Sequence, residues 1–226
     1  MLVSILGDSI STYSAFNPEG YAVYYDEEMQ MLNGLNSVYD TWWAKVNQSL
    51  RAYLCVNNSY SGSKVSGQVF PAGCCQERLM HLQNQKYSPN LILIYLGIND
   101  FGFGVPIRCA PQNNDGRINI LYFEYAYHQM LTGLRYFYPK AKIVCATLMR
   151  TTLKHNRLWY FPDRLAGVSI DEYNKAIRRA AANCHISLAD LAKSNRRYET
   201  LDGTHPNAAG HQEIADEWVD CLSKII

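Results

Sequence analysis

The stretch at residues 91–96 reads LILIYL and is apolar at every position. A strand without a polar position is typical of the middle of a parallel sheet, because both faces of such a sheet are covered by other elements. Shorter apolar runs predict four further strands, at residues 2–6, 52–56, 142–147 and 185–188. The chain must therefore also supply enough helix to cover two faces of a sheet.

Helical patterns fall between the predicted strands, at residues 41–50, 76–83, 118–137, 170–183 and 208–225. Asp40 is a candidate N-cap for the first helix, and Ser169 with Glu172 forms a candidate capping box for the fourth. Strands that alternate with helices indicate a parallel sheet, and right-handed crossovers place helices on both of its faces. We therefore predict an α/β protein, a three-layer α/β/α sandwich with a central five-stranded parallel sheet, in one domain over residues 1–226.

Two short motifs lie near opposite ends of the chain and together carry a serine, a histidine and a carboxylate. The first is Gly7-Asp8-Ser9, directly after the first predicted strand, and the second is Asp202-Gly203-Thr204-His205. A serine hydroxyl becomes a good nucleophile only when a nearby imidazole takes its proton, and the imidazole must be held in one tautomer. Each motif alone also fits an ordinary turn or helix start. Their combination favours serine hydrolase chemistry.

Four short motifs in this order resemble the SGNH, or GDSL-type, hydrolase family. They are Gly7-Asp8-Ser9, the glycine at position 62, Gly97-Ile98-Asn99-Asp100 and Asp202-Gly203-Thr204-His205. The resemblance extends over essentially the whole chain and implies a flavodoxin-like fold and ester hydrolysis. The first motif continues with isoleucine where the family has leucine, an exchange that conserves volume and should not affect the chemistry.

The resemblance also implies a role for each site residue. Ser9 would be the nucleophile, His205 the general base and then the general acid, and Asp202 the residue that orients His205. The oxyanion hole would consist of the backbone N–H groups of Ser9 and Gly62 and the side-chain amide of Asn99. In open α/β sheets ligands bind beyond the carboxyl ends of the strands, so we expect these residues to meet at one edge.

Charge and motif content exclude several other functions. The formal net charge is +1 and no basic cluster is large enough to indicate nucleic-acid binding. No apolar run has the length of a membrane span, and no glycine-rich nucleotide-binding motif occurs. His205 and His211 are six residues apart, which is a poor spacing for metal ligands on a helix. We expect no metal, no cofactor and a small-molecule or saccharide ester as the substrate.

The seven cysteines indicate the redox environment. Their number is odd, and they are scattered without the spacing of a metal site or a redox motif. Met1 leads directly into a predicted strand, without a basic and apolar leader. We expect reduced thiols in a cytoplasmic protein, with export left open if a signal precedes this chain.

Three predicted loops, at residues 11–36, 101–116 and 148–167, are long enough to be functional and should border the site. Aromatic rings with polar groups suit sugar rings and short acyl groups, although packing of the loops is an equally good interpretation. The Tyr-rich loops favour a short-chain ester, such as an O-acetyl group of a saccharide. A thioesterase, a lysophospholipase and a non-catalytic carbohydrate-binding relative are the alternatives. The loop aromatics are Tyr13, Phe16, Tyr21, Tyr24, Tyr25, Phe101, Phe103, Trp159, Tyr160 and Phe161.

Overall fold

The central sheet contains five parallel strands, as predicted from the apolar runs. The structure is a computed structural model that describes residues 1–108, 119–156, 164–165 and 168–226. The strands in these ranges are β1 Leu2–Gly7, β2 Tyr53–Ser59, β3 Leu91–Tyr95, β4 Lys142–Ala146, β5 Arg150–Leu153, β6 Arg164–Leu165, β7 Val168–Ser169, β8 Ser187–Ala189 and β9 Arg197–Thr200.

The order of strands in the central sheet is β2-β1-β3-β4-β8, and every pair in it is parallel. All five residues of β3 are buried, which confirms its predicted place inside the sheet. The chain moves from β1 to β2 on one side and then returns to β3 on the other. Because the direction reverses there, a crevice opens beyond the carboxyl ends of these three strands.

Helices cover both faces of the sheet, and the predicted three-layer α/β/α sandwich is confirmed. One face carries two helices that pack against each other, α2 and α7, and on the other face α5 packs against α3 and α6. The helices are α1 Glu27–Asn33, α2 Trp42–Ser49, α3 Gln76–Met80, α4 Ile98–Gly102, α5 Phe123–Phe137, α6 Ile170–Asn183 and α7 Ala208–Leu222. None of the helices in the described ranges is both long enough and apolar enough to cross a membrane.

One predicted helix cap is wrong, and a second is confirmed but with a different partner. Thr41, not Asp40, caps α2: its hydroxyl accepts a hydrogen bond from the Ala44 N–H. The Asp40 carboxylate instead accepts from two backbone N–H groups before it, so it closes the preceding turn. Ser169 does cap α6, but it accepts from the N–H of Asp171 rather than from that of Glu172. A hydroxyl on a short side chain reaches whichever of the first free N–H groups the local turn brings nearest.

Within the described residues, all three predicted loops overlap regular structure. The first, residues 11–36, includes α1, the second, residues 101–116, begins within α4, and the third, residues 148–167, includes β5. Residues 109–118 and much of 157–167 lie outside the described residues, and so do the predicted loop aromatics Trp159, Tyr160 and Phe161. The predicted helix at 118–137 begins at Phe123, and the last helix ends at Leu222.

A second, two-stranded sheet forms beside the site from β5 and β9, which pair in parallel. The segment after β9 folds back on it, because Thr200 and Pro206 form an isolated bridge. The Thr151 hydroxyl donates to the Gly203 carbonyl at 2.7 Å, and the Tyr198 hydroxyl donates to the carbonyl of Thr204 at 2.9 Å. The small sheet thus holds residues 201–207 in place.

Candidate active site

Ser9 lies on a tight turn directly after β1. Residues Ser9–Ser11 form a single turn of 3-10 helix, and the Asp8 carboxylate accepts a hydrogen bond from the Ile10 N–H at its start. A side chain on Gly7 would place its Cβ atom 2.6 Å from Ser11 Oγ, so only glycine fits before this turn. Ser9 itself is only 4% exposed. The nucleophile candidate is therefore fixed by the backbone around it.

The structure brings the side chains of Ser9, His205 and Asp202 into contact, although Ser9 lies 196 positions before His205 in the sequence. His205 Nε2 lies 2.9 Å from Ser9 Oγ, and His205 Nδ1 lies 2.6 Å from Asp202 Oδ2. The carboxylate accepts the Nδ1 proton, which leaves the Nε2 lone pair to accept from the serine hydroxyl. This tautomer is the one that can remove a proton from Ser9.

Asp202 is held in its ionised state by its own loop. Its Oδ1 atom accepts from the N–H groups of Thr204 at 2.9 Å and His205 at 2.8 Å. Burial raises the pKa of Asp202, but the hydrogen bonds and charge of His205, together with these backbone N–H groups, outweigh burial and bring the pKa well below its usual range. The carboxylate is therefore ionised at neutral pH and can stabilise a protonated imidazole.

The candidate oxyanion-hole residues follow three adjacent strands, β1, β2 and β3. Gly62 has a φ of +78°, in the left-handed region that favours glycine. Within the described part of the chain, the backbone N–H groups of Ser9 and Gly62 donate no hydrogen bond. The Asn99 Nδ2 group donates to the Ser63 carbonyl at 3.0 Å, and its second hydrogen is left for another acceptor.

Asp100, in α4, binds the loop that follows β2 and contains Gly62, which is called the Gly62 loop below. Its two carboxylate oxygens accept from the backbone N–H groups of Val65 at 2.7 Å and Ser66 at 3.0 Å. Burial raises the pKa of Asp100 to about 6, against the opposing effect of hydrogen bonds from Ser66 and Val65. Asn99 and Asp100 therefore fix the segment after Gly62 through two neighbouring side chains.

Sequence reasoning missed a buried arginine beneath the nucleophile turn. The Arg78 side chain is fully buried and donates to the Gly7 carbonyl at 3.0 Å, to Asn58 Oδ1 at 2.6 Å and to the carbonyl of Pro71 at 2.6 Å. Burial lowers the pKa of Arg78 to about 10, so it stays charged at neutral pH. No pattern identifies it, because an arginine on a short helix is ordinarily solvent-exposed.

Asp8 is buried beside Ser9 but does not join the hydrogen-bonded chain of Ser9, His205 and Asp202. Burial raises its pKa to about 7, with a further increase from the nearby charge of Asp100. Its contact is local, to the Ile10 N–H. Asp8 is therefore the buried N-cap of the 3-10 turn Ser9–Ser11.

Two loop tyrosines contact residues 202–206, the segment that carries His205. No sequence motif distinguishes these two from the other loop aromatics. The Tyr24 ring stacks on the imidazole of His205, and its hydroxyl bonds to Asp202. The Tyr25 hydroxyl donates to the carbonyl of Pro206 at 2.6 Å. Among the other predicted aromatics, Tyr13 and Phe101 are buried, whereas Phe16 and Phe103 are exposed.

No group of three metal-ligating side chains comes together within the described ranges. His211, six residues from His205, is fully buried, and its Nδ1 atom accepts from the Trp42 N–H at 3.1 Å. Burial lowers the pKa of His211 to about 3, so it packs as a neutral side chain between α7 and α2.

Solved structures with the same fold include two that are described as GDSL-like lipases. The one from Bacteroides ovatus has a TM-score of 0.74 and 22% identity, over 99% of this chain and 98% of that one. The one from Bacteroides uniformis has a TM-score of 0.73 and 23% identity, over 99% and 95%. A family two carbohydrate esterase from Clostridium thermocellum, in complex with cellohexaose, matches with a TM-score of 0.60 and 19% identity, over 99% of this chain and 64% of that one.

The family of the chain follows from its sequence, through a match to a family model. No curated protein matches the chain. A family model described as GDSL-like lipase/acylhydrolase matches residues 1–160, which include the nucleophile turn, the Gly62 loop and Asn99. These residues make up more than half of the chain, and the fold and the four motifs agree with the match. The chain belongs to the GDSL-like lipase/acylhydrolase family, the SGNH hydrolases.

Proposed function

We propose that the protein is a serine ester hydrolase that works through an acyl-enzyme, with Ser9, His205 and Asp202 as its catalytic residues. The observation that carries the proposal is the chain of short contacts from Ser9 Oγ to His205 Nε2 and from His205 Nδ1 to Asp202, at 2.9 Å and 2.6 Å. Residues 196 positions apart form the first of these contacts, and family membership supports hydrolase activity independently.

In the first half of the reaction Ser9 Oγ attacks the ester carbonyl carbon while its proton passes to His205 Nε2. The carbonyl oxygen becomes an oxyanion, which the free N–H groups of Ser9 and Gly62 and the second Asn99 hydrogen are available to stabilise. When the tetrahedral centre collapses, its C–O bond to the alcohol breaks and the alcohol oxygen takes the proton from Nε2. The acyl group remains on Ser9.

In the second half a water molecule attacks the acyl-serine. Its proton passes to His205 Nε2, a second oxyanion forms, and the bond from the acyl carbon to Ser9 Oγ breaks. Ser9 recovers the proton from Nε2 and the acid leaves. Asp202 stays ionised throughout and stabilises the imidazolium in both halves, in agreement with the direction of its pKa.

For the substrate we propose a short-chain ester, such as an O-acetyl group of a saccharide. The rings of Tyr21, Tyr60 and Phe70 contact one another beside the Gly62 loop. On the same loop the Lys64 ammonium lies 6.0 Å from the centre of the Phe103 ring, which is 71% exposed. Aromatic faces beside polar groups suit sugar rings better than long acyl chains. The fold shared with a carbohydrate esterase that binds cellohexaose agrees with this proposal.

The test is hydrolysis of p-nitrophenyl esters from acetate to decanoate by wild type and by Ser9→Ala. We expect turnover that is highest with acetate and that falls at least about 1,000-fold in Ser9→Ala, because the nucleophile is lost. Ser14→Ala is the matched control: this serine lies in the same loop, and within the described residues its bond is made by the backbone N–H, to the Tyr25 carbonyl, and not by its side chain. It should hydrolyse like wild type.

Other results of the ester assay would change or overturn the proposal. A peak at long chains would replace the short-chain proposal with a lipid or thioester substrate. If no ester is turned over, a fluorophosphonate probe decides: labelling of Ser9 supports a hydrolase of narrow specificity, and absence of labelling contradicts the catalytic role. Wild-type turnover in Ser9→Ala would overturn the proposal outright. Release of acetate from acetylated oligosaccharides then tests the saccharide directly.

A further inference from the structure

Tyr24 contacts both members of the histidine–carboxylate pair at once. Its ring lies parallel to the imidazole of His205, with centroids 3.5 Å apart and an angle of 11° between the planes. Its hydroxyl donates to Asp202 Oδ2 at 2.9 Å, the same oxygen that bonds to His205 Nδ1. A ring in face-to-face contact and a hydroxyl on the partner carboxylate together restrict both side chains.

The backbone of Tyr24 is also tied to the nucleophile turn. Its N–H donates to Thr12 Oγ1 at 2.9 Å, and the Thr12 hydroxyl donates to the Ser9 carbonyl at 2.9 Å. The contacts therefore form a closed circuit from Ser9 through Thr12 and Tyr24 to Asp202 and His205, and back to Ser9 Oγ. Tyr24 thus adds a second connection between the two halves of the site, besides the contact of His205 with Ser9.

The pair needs such a support because its carboxylate is not enclosed. The Asp202 side chain is 42% exposed and the His205 side chain is 18% exposed. Water that reaches Oδ2 competes for the bond to Nδ1, and an imidazole that turns away from Ser9 cannot take its proton. Tyr24 covers one face of the ring and occupies a position on Oδ2 that water would otherwise take.

We propose that Tyr24 is a positioning residue for the His205–Asp202 pair: its ring fixes the plane of the imidazole, and its hydroxyl fixes the carboxylate oxygen that holds the imidazole. The inference rests on the proposed function and adds to it a residue outside the four family motifs. The alternative role for Tyr24 is that of a substrate platform, a ring that stacks on a sugar of the substrate. A substrate platform would act on substrate binding, whereas a positioning residue acts on the rate of the chemical step.

The kinetic test compares Tyr24→Phe, which keeps the ring and removes the hydroxyl, with Tyr24→Leu, which removes both. We expect kcat for p-nitrophenyl acetate to fall about 3- to 10-fold in Tyr24→Phe, because one hydrogen bond is lost at a carboxylate that water can also reach. In Tyr24→Leu we expect a fall of about 100-fold, the size of effect that a displaced catalytic group produces. KM should change less than about twofold in both, since Tyr24 would not touch the substrate.

Tyr39 provides the matched control. It lies in the same segment between β1 and α2, and its ring is 61% exposed. Tyr39→Phe and Tyr39→Leu should leave kcat and KM unchanged. A rise in KM with unchanged kcat in the Tyr24 variants would overturn the positioning role in favour of a substrate platform. Wild-type kinetics in both Tyr24 variants would overturn it as well.

A spectroscopic readout separates this inference from the proposed function. The His205 Nδ1 proton, in a 2.6 Å contact with a carboxylate, should give a downfield proton NMR signal that exchanges slowly with water. We expect this signal in wild type and Tyr39→Leu, weakened in Tyr24→Phe and lost to exchange in Tyr24→Leu. An unchanged signal in Tyr24→Leu overturns the positioning role, even for a protein that hydrolyses no ester. Absence of labelling by fluorophosphonate with a normal signal would instead count against the proposed function alone.

Discussion

At the scale of single residues, Asn99 has two tasks that depend on one amide group. One Nδ2 hydrogen bonds to the Ser63 carbonyl, and this bond turns the amide toward the Gly62 loop. The other hydrogen is the proposed donor to the oxyanion. A carboxylate of the same shape could do neither, because it has no hydrogen to donate at neutral pH.

We therefore expect Asn99→Ala to lower kcat about 100- to 1,000-fold, the usual effect of removing one oxyanion donor. Asn99→Asp should be at least as impaired, because its charge would oppose the oxyanion. Steady-state kinetics with p-nitrophenyl acetate measure both, and Asn36→Ala, an exposed loop asparagine, is the control. Equal kcat in Asn99→Ala and wild type would remove Asn99 from the proposed oxyanion hole.

Sequence motifs identified the residues proposed to carry the chemistry, and missed those proposed to support them. Ser9, Asn99 and His205 each occur in a recognisable short pattern. Arg78 and Tyr24 occur in none, since their importance depends on which distant atoms folding brings to them: the Gly7 carbonyl for one and Asp202 for the other. Contacts of this kind are a property of the tertiary structure.

At the scale of secondary-structure elements, the first turn of α7 is packed directly on β9. A Cβ atom on Gly210 would lie 2.1 Å from the Glu199 carbonyl oxygen, and backbone cannot move aside as a side chain can. The segment between these two elements, residues 201–207, carries both Asp202 and His205. The distance between α7 and β9 therefore controls the position of the proposed acid–base pair.

We expect Gly210→Ala to destabilise the protein by about 1–3 kcal/mol or more, as overpacking does, and to lower kcat as well. Urea denaturation and steady-state kinetics measure the two effects. Gly133→Ala on α5 is the matched control, because its Cβ would meet only the end of the Leu79 side chain, at 2.6 Å, and that side chain can rotate. Equal stability of the two variants would show that α7 can shift without cost.

The central sheet could be predicted because its strands contain apolar runs, which in β3 are unbroken, but the small sheet could not. β5 reads RTTL and β9 reads RYET, so neither has the apolar content of a buried strand. The two strands are only partly buried and stabilise each other through pairing. Pairing of this kind over a long sequence separation has no signal in either segment alone.

At the scale of the whole molecule, two buried carboxyl groups beneath the site couple folding stability to pH. The pKa is raised from 3.8 to about 7 for Asp8 and from 3.8 to about 6 for Asp100, in both cases mainly by burial. Between pH 4 and 7 the folded protein holds a proton at Asp8 that the unfolded chain has released. Stability contributed by this group therefore falls as the pH rises through that window.

We expect Asp8→Asn to unfold at nearly the same temperature as wild type at pH 4 and at a clearly higher temperature at pH 8. The asparagine cannot ionise, and its oxygen can still accept from the Ile10 N–H. The pKa change of Asp8 corresponds to roughly 4 kcal/mol at most. Thermal unfolding at several pH values measures the difference; Asp216→Asn, an exposed carboxylate on α7, should follow wild type. An Asp8→Asn curve parallel to that of wild type would contradict the expectation.

The separation of 196 positions between Ser9 and His205 has a consequence for the synthesis of the protein. A ribosome adds the serine nearly 200 residues before the histidine, so a nascent chain for a time carries a nucleophile that has no base. On the proposed mechanism, interrupted translation products and fragments that lack either end of this chain cannot hydrolyse esters. On that mechanism, activity therefore reports that both segments have been made and that folding has brought them together.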